Sequence, residues 1–121
     1  MRKKILIVDD SKTILTLERM LLASLYDVVE ARNGEEALEK AMTEKPDLIL
    51  LDIVMPKLDG FETCVRLRDS PRTKLTPIII VTTRGEAKNI EAGYRAGCTD
   101  YITKPLNGAE LLAKIRDCVG E

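Results

Sequence analysis

Asp52 is the residue whose surroundings most clearly indicate chemistry, because this one acid interrupts an apolar run that begins at Leu48 and continues to Val54. A short uninterrupted apolar run is typical of a parallel strand buried on both faces, although its periodicity also fits a fragment of a buried helix. Pro56 disfavours the helical interpretation, since the residue before a proline avoids the α region. Asp52 then ends a central strand, where open α/β sheets place their sites. We expect this carboxylate to be solvated, metal-bound or reactive, because burying it unpaired would be costly.

Other polar residues follow strand-like runs in the same way. Asp9 and Asp10 follow a β-branched run at 5–8, Thr82 follows the run 78–81, and Lys104 comes shortly after Tyr101-Ile102. In a parallel sheet the carboxyl ends of neighbouring strands share one edge, at the point where the strand order reverses. We therefore expect these residues and Asp52 to converge on one site.

Three carboxylates at one edge would repel one another, and a hard divalent cation would offset that repulsion. Ligation by oxygen alone, without histidine or cysteine, favours Mg²⁺. Beside such an ion, Asp52 can attack a phosphoryl group and become an acyl phosphate. Lys104 would then give the phosphoryl oxygens a second cation, and the Thr82 hydroxyl would give them a hydrogen bond.

The elements that must position these residues alternate as strand then helix, five times, along one domain of residues 1–121. This alternation predicts an α/β fold, a single doubly wound (βα)5 flavodoxin-like domain whose parallel five-stranded sheet has the order 2-1-3-4-5. Asn33, Asp59 and Asn107 each stand three residues before a glutamate, which predicts capped helix starts. The expected inner face of the first helix comprises Ile14, Leu17, Leu21, Leu22 and Leu25.

Composition excludes several classes of function. The net charge of −1 and an aromatic content of 3% do not favour nucleic acid or an anionic membrane surface as a partner. Without histidine, the chain has no Ser-His-Asp triad, no imidazole metal site and no phosphohistidine. No apolar run has the length of a membrane span or signal peptide. The cysteines at 64, 98 and 118 form no CxxC pair, so we expect reduced thiols in the cytoplasm, packed as core or helix-face residues.

Four motifs together resemble the signature of the bacterial response-regulator receiver domain. They are Asp9-Asp10, Leu51-Asp52 with Met55-Pro56 and Asp59-Gly60, Val81-Thr82, and Lys104-Pro105. The resemblance covers essentially the whole chain. It implies a phospho-acceptor switch of a two-component phosphorelay, phosphorylated on Asp52 by a histidine kinase or a histidine phosphotransfer protein.

The same resemblance implies the roles of individual residues. Asp10 and Asp52 would ligate Mg²⁺ directly, Asp9 would act largely through water, and the backbone carbonyl of Val54 would complete the protein ligands. Thr82 and Tyr101 match the switch pair of the family, whose movement would remodel the surface of the fourth helix, fifth strand and fifth helix. A half-buried packing role for Tyr101 is nearly as common. The Lys104-Pro105 bond would be cis.

Two positions predict how the acyl phosphate forms and decays. Thr83 stands where the family often has alanine, and it would narrow access to the phosphoryl group. We predict slower phosphorylation by small donors than in a Thr83→Ala variant, and equal rates would contradict this. Val54 and Arg84 occupy positions that tune the lifetime of the acyl phosphate in the family, and Val54 cannot position a water by hydrogen bonding, which favours a moderately long lifetime.

Two other classes of function remain to be weighed. One is a phosphatase or phosphotransferase of the haloacid-dehalogenase type, which needs a second acid two residues after its nucleophile. That position is Val54 here, and within residues 1–121 we expect no cap domain to enclose a substrate. The other is a flavin-binding domain, but the acidic edge would repel the FMN phosphate. The cognate kinase, the downstream effector or fused output domain, and a possible phosphorylation-dependent dimer cannot be read from the sequence.

Overall fold

The computed structural model describes residues 2–53, 59–83 and 87–120, without the side chain of Thr83. Val54, Met55, Pro56 and Arg84, for which the sequence makes predictions, lie outside the described residues. The strands are β1 (Lys4–Val8), β2 (Asp27–Ala31), β3 (Leu48–Asp52), β4 (Ile78–Thr83) and β5 (Asp100–Lys104). The helices are α1 (Lys12–Leu22), α2 (Gly34–Glu44), α3 (Gly60–Asp69), α4 (Ala87–Ala96) and α5 (Gly108–Val119).

All five strands pair in parallel, in the order β2-β1-β3-β4-β5, which confirms the predicted fold. The register pairs Val8 with Leu51, so that Asp9 and Asp52 follow at the same level of two neighbouring strands. Asp52 itself pairs with Val81, one residue before Thr82. The carboxyl ends of β1, β3 and β4 therefore bring the predicted site residues to one edge of the sheet.

The sheet is covered on both faces, which explains why its strands are apolar without alternation. Alternate residues of β1 and β3, among them Ile5, Ile7 and Leu50, pack with residues of α1 and α5. The intervening residues, such as Leu6 and Leu51, pack with residues of α2 and α3 on the opposite face. All five of these strand residues are fully buried.

The helix starts are capped as the sequence predicts. The backbone amide of Glu36 donates to Asn33 Oδ1 at 2.8 Å, and the amide of Glu110 donates to Asn107 Oδ1 at 3.0 Å. Asp59 caps α3 in the same way. A capping side chain satisfies one of the otherwise unpaired amides of the first turn and contributes about 1 kcal/mol.

The predicted inner face of α1 is right at Leu22, which is buried, and wrong at Leu17 and Leu25. The buried residues of the helix are Leu15, Glu18 and Leu22, whereas Leu17 and Leu25, both predicted to face inward, are 42% and 43% exposed. The apolar pattern misleads because α1 carries leucines on more than one face. In addition, the buried face contains the acid Glu18, which a pattern of apolar residues assigns to the solvent-exposed face.

Arg68, at the end of α3, ties together the loops at the opposite end of the sheet from Asp52. Its guanidinium group donates hydrogen bonds to five oxygens, which are the carbonyls of Thr73, Lys74, Thr76 and Gly97 and the hydroxyl of Thr99. The α3–β4 loop and the α4–β5 loop are therefore joined through one side chain.

Within the described ranges, no helix combines the length and the apolar character that crossing a membrane would require.

Candidate functional site

Asp9, Asp10 and Asp52 form an acid cluster at the carboxyl edge of the sheet. Each contributes a carboxylate oxygen, and these oxygens all lie within 4.8 Å of one another. Asp9 and Asp52 are only 1% and 3% exposed, whereas Asp10 is exposed. The structure thus brings together the three acids that the sequence selected, with two of them buried and the third open to solvent.

Lys104 places its ammonium group between the two buried acids. Its Nζ lies 3.6 Å from Asp52 Oδ2 and 3.9 Å from Asp9 Oδ2. These distances are those of ion pairs and are too long for hydrogen bonds. Among the described residues, one cation therefore lies beside three carboxylates, and this part of the site keeps a net negative charge that can accept a further cation.

The carboxyl group of Asp9 is oriented by the chain that follows it. Oδ1 accepts a hydrogen bond from the Ser11 amide at 2.9 Å, and the Ser11 side chain in turn caps α1. Oδ2 is buried and has no hydrogen-bond partner among the described residues. Burial raises the pKa of the Asp9 carboxyl to about 6, and Asp52 and Asp10 act in the same direction against the opposing effects of the Ser11 amide and Lys104. The folded chain holds this acid in an environment that favours a neighbouring positive charge.

Gly60 lets the start of α3 pack directly on the end of β3. A Cβ atom at this position would lie 2.4 Å from Ile53 Cα and 2.6 Å from the Asp52 carbonyl oxygen. The Gly60 amide donates to the Ile53 carbonyl at 3.1 Å. The backbone of Asp52 is therefore held against a helix terminus at a distance that only glycine permits.

Thr82 lies one residue beyond the partner of Asp52 on the neighbouring strand. Its side chain is buried, and its Oγ1 has no hydrogen-bond partner among the described residues. A buried hydroxyl without a partner is costly, so this group is ready to bond to something that the described residues do not supply.

Tyr101 is half-buried on β5, in a group of side chains from three elements. Its ring meets that of Tyr94 edge to face, with centroids 6.3 Å apart. Lys114 Nζ lies 5.2 Å from the centre of the Tyr101 ring and 3.1 Å from Asp100 Oδ1. Aromatic and cation–π contacts of this kind hold the ring in its present position.

Glu18 is a buried acidic residue, electrostatically coupled to this site, that the sequence did not indicate. It is 1% exposed, and its Oε1 has no hydrogen-bond partner among the described residues. Burial raises the pKa of Glu18 to about 8, helped by the carboxylates of Asp9 and Asp52 and opposed by Lys104. Glu18 stands three residues after Leu15 and four residues before Leu22, which is the spacing of one helix face. This spacing was the signal in the sequence that could have indicated a buried Glu18.

The acid cluster fits a hard divalent cation. The donors are oxygens, two of the carboxylates are buried, and the Oδ2 atom of Asp9 has no hydrogen-bond partner among the described residues. Mg²⁺ prefers such ligands and keeps several waters, for which exposed Asp10 leaves room. Val54 and the side chain of Thr83, which the sequence also connects with this site, lie outside the described residues, so the predictions made for them remain predictions.

The sequence and the solved structures of other proteins identify this arrangement. Residues 5–116 match the family model of the response regulator receiver domain. The chain belongs to this family. It is 47% identical over 117 residues to the alkaline phosphatase synthesis transcriptional regulatory protein PhoP of Bacillus subtilis, an alignment that covers 96% of this chain and 48% of that protein.

Two solved receiver structures show how closely the folds agree. The chemotaxis protein CheY4 of Vibrio cholerae superposes with a TM-score of 0.91 at 34% identity, over 98% of this chain and 99% of that one. The receiver domain of the sensor histidine kinase PA1611 of Pseudomonas aeruginosa, solved with a magnesium ion coordinated in its active site cleft, gives a TM-score of 0.92 at 30% identity and covers all of both chains.

This chain is thus a receiver domain, a phospho-acceptor signalling switch of two-component systems. It spans about half the length of the curated relatives PhoP and ResD, and about a quarter of the length of PleD. Receiver domains bind Mg²⁺ in an acidic pocket, and the acid cluster described above is the group of residues that could hold it here.

Proposed function

We propose that Asp52 is the phospho-acceptor of this receiver domain and that Asp9, Asp10 and Asp52 hold the Mg²⁺ ion that the transfer requires. The arrangement of Lys104 against the buried acids supports this most directly. Its Nζ faces both Asp52 and Asp9, so a cation already lies where the oxygens of a phosphoryl group on Asp52 would need one. The backbone carbonyl of Val54 completes the proposed ligands.

Each residue has a separate part in the transfer. A carboxylate oxygen of Asp52 attacks the phosphorus of a phosphohistidine donor, and the P–N bond breaks as the new O–P bond forms. Lys104 stays paired to the phosphoryl oxygens and offsets their charge. Bound Mg²⁺ supplies the remaining positive charge to the same oxygens. Asp9 is held by the Ser11 amide, which keeps the second buried acid of the site in a fixed orientation.

Thr82 and Tyr101 form the proposed switch. The Thr82 hydroxyl is buried without a described partner, so it can donate to a phosphoryl oxygen on Asp52 and gain the bond that it lacks. Its movement makes room for the Tyr101 ring to leave Lys114 and Tyr94 and turn inward. The surface formed by α4, β5 and α5 then changes, and this is the face that we propose is read by an effector, an output domain or a second copy of the chain.

The proposed phosphoryl donor is a histidine kinase or a histidine phosphotransfer protein, because the chain belongs to the receiver family and such proteins phosphorylate receiver domains. We place the reaction in the cytoplasm, in agreement with three free cysteines that form no disulfide. DNA binding and membrane binding are not part of the proposal for this domain, since its net charge is only −1.

The test is phosphorylation by acetyl phosphate with and without Mg²⁺, followed by intact mass spectrometry and peptide mapping. We expect one added phosphoryl group on Asp52, lost in Asp52→Asn and after chelation of the metal. Asp69→Asn makes the same chemical change at an exposed position of α3 and should leave the adduct unchanged. Labelling of a different residue would overturn the assignment of Asp52. Many turnovers of an organic phosphate would instead favour the dehalogenase-type enzyme.

A further inference from the structure

We propose that Glu18 is electrostatically coupled to the acid cluster: its buried carboxyl group releases its proton when Mg²⁺ binds, and Mg²⁺ affinity thereby depends on pH above neutrality. This inference rests on the proposed function, because it takes Asp9, Asp10 and Asp52 as the residues that hold the ion.

The position of Glu18 in the fold is the first argument. Its neighbours on the buried face of α1, Leu15 and Leu22, pack in the apolar cluster with Ile7 and Leu50. Asp9 and Asp52 follow those two strand residues by two positions, so their side chains leave the sheet on the same face. Helix α1 starts at the edge where the acids lie, and side chains of a helix lean toward its start. Glu18 therefore lies on the helix face that covers the same side of the sheet as the side chains of the two acids.

The second argument is that a buried carboxyl oxygen of Glu18 lacks a hydrogen-bond partner. Glu18 is 1% exposed, and its Oε1 has no hydrogen-bond partner among the described residues. No ion pair of the described chain involves Glu18, since Lys104 is directed to Asp9 and Asp52 instead. A charged carboxylate in such a place would be strongly disfavoured, so without metal Glu18 carries its proton near neutral pH.

The charged groups around Glu18 determine how Mg²⁺ changes the protonation of its carboxyl group. They come from Asp9 on β1, Asp52 on β3 and Lys104 on β5, with the two acids holding the pKa of Glu18 high in addition to burial. Tyr26 and Cys118 pack in or against the same layer and bring no charge in their neutral forms. Mg²⁺ at the acids would cancel their negative charge and attract a negative Glu18. The proton would then pass to the buffer as the ion binds.

Linkage makes the effect reciprocal, so a deprotonated Glu18 strengthens Mg²⁺ binding by the same factor by which Mg²⁺ favours deprotonation. Couplings between sites commonly amount to about tenfold. Glu18→Gln keeps the shape of the protonated side chain and cannot lose the proton. Its Mg²⁺ affinity should equal that of the unchanged protein at about pH 7 and fall about tenfold below it at about pH 9.

The direct experiment uses the unchanged chain and Mg²⁺ alone. In protein labelled with ¹³C at the glutamate carboxyl carbons, Glu18 is assigned as the resonance missing from Glu18→Gln, and it is titrated in EDTA and in saturating MgCl₂. We expect it to titrate well above the other glutamates in EDTA and at a lower pH in Mg²⁺. A Glu18 resonance that titrates with the surface glutamates, or with the same midpoint in both solutions, would overturn the proposal.

Calorimetric titration of Mg²⁺ separates this proposal from the one on which it rests. Glu39→Gln, at an exposed position of α2, is the matched control and should follow the unchanged protein at every pH. If Mg²⁺ binds and Asp52 is phosphorylated, but Glu18→Gln shows the same dependence of affinity on pH, only the role of Glu18 is wrong. If the unchanged protein binds no Mg²⁺ at any pH, the metal site fails and the role of Glu18 fails with it. Glu18→Leu, which also cannot ionise, replaces Glu18→Gln if the latter does not fold.

Discussion

Lys104 Nζ lies 3.6 Å from Asp52 Oδ2, although β5 and β3 are not neighbours and β4 runs between them. The lysine side chain spans one strand to reach the acid, and it keeps a third of its surface exposed while doing so. The contact depends on the strand order and on the level at which β5 ends.

Replacing Lys104 should separate phosphoryl transfer from metal binding. We expect Lys104→Met to lower the rate of Asp52 phosphorylation by acetyl phosphate about a hundredfold, because a preorganised charge is removed from the transferring oxygens. Mg²⁺ should still bind, since the three acids remain. Mass spectrometry over time measures the rate, with Lys74→Met, at an exposed loop position, as the control. A rate within twofold of the unchanged protein would contradict the proposed role of Lys104.

The metal-free domain should lose stability as the pH rises. Asp9 has a folded-state pKa of about 6 against an ordinary value of 3.8, and burial is the main cause. Asp9 therefore binds its proton more tightly in the folded chain than in the unfolded chain. The contribution of protonated Asp9 to the free energy of unfolding is complete below about pH 4 and is lost as the pH rises through about 6. Glu18 continues the loss toward about pH 8.

Asp9→Asn tests this dependence. We expect the variant in EDTA to be more stable than the unchanged protein by about 1–2 kcal/mol at neutral pH and by much less at about pH 4. Urea unfolding across this range is the measurement, and Asp69→Asn should show no such gain. A gain of equal size at both pH values would mean that it does not come from the charge of Asp9.

Gly60→Ala should damage the site through the backbone. The added Cβ would lie 2.4 Å from Ile53 Cα, a backbone atom that cannot turn aside. We expect a loss of about 3 kcal/mol in the free energy of unfolding and weaker Mg²⁺ binding, because the end of β3 must shift.

Gly108→Ala is the matched control for Gly60→Ala. A Cβ at Gly108, the first residue of α5, would meet only Leu21 Cδ2 at 3.1 Å, the end of a flexible side chain. Alanine also favours a helix more than glycine does, so the net change should stay within about 1 kcal/mol. Equal losses for the two variants, measured by urea unfolding, would show that the close approach at Gly60 carries no special cost.

Lys114→Met should release Tyr101 from its present position. The cation above the ring is partly exposed, and such contacts contribute about 0.5–1 kcal/mol, which corresponds to a twofold to fivefold change in population. We expect the Tyr101 ring resonances to shift toward those of the phosphorylated protein before any phosphorylation. NMR of the ring carbons measures this, with Arg116→Met on the exposed side of α5 as the control. Unchanged Tyr101 resonances would remove Lys114 from the switch.

The strand order and the convergence of Asp9, Asp52 and Lys104 on one edge could be predicted because they follow from local patterns. Apolar runs ending in polar residues place the strands, and the common topology then fixes which ends are neighbours. The capping residues Asn33 and Asn107 also act through contacts within a few residues, so short sequence patterns identify them.

What the sequence could not predict depends on contacts between distant parts of the chain. Leu15 and Leu17 are equally apolar, and only packing against β1 decides that the first is buried. Glu18 is buried because its helix face is buried, which overrides the preference of its side chain for water. The contact of Lys114 with Tyr101 joins α5 to β5 and depends on how that helix docks, which no local pattern records.

The guanidinium of Arg68 has a mechanical consequence. It donates a hydrogen bond of 2.8 Å to the carbonyl of Gly97, which directly follows α4. It donates another of 2.6 Å to the carbonyl of Thr76, which lies just before β4. The carboxyl-terminal end of α4 is thereby joined through Arg68 to α3 and to the start of β4. We therefore expect any displacement of α4 to pivot about its carboxyl-terminal end, so that the start of the helix at Ala87 moves farthest.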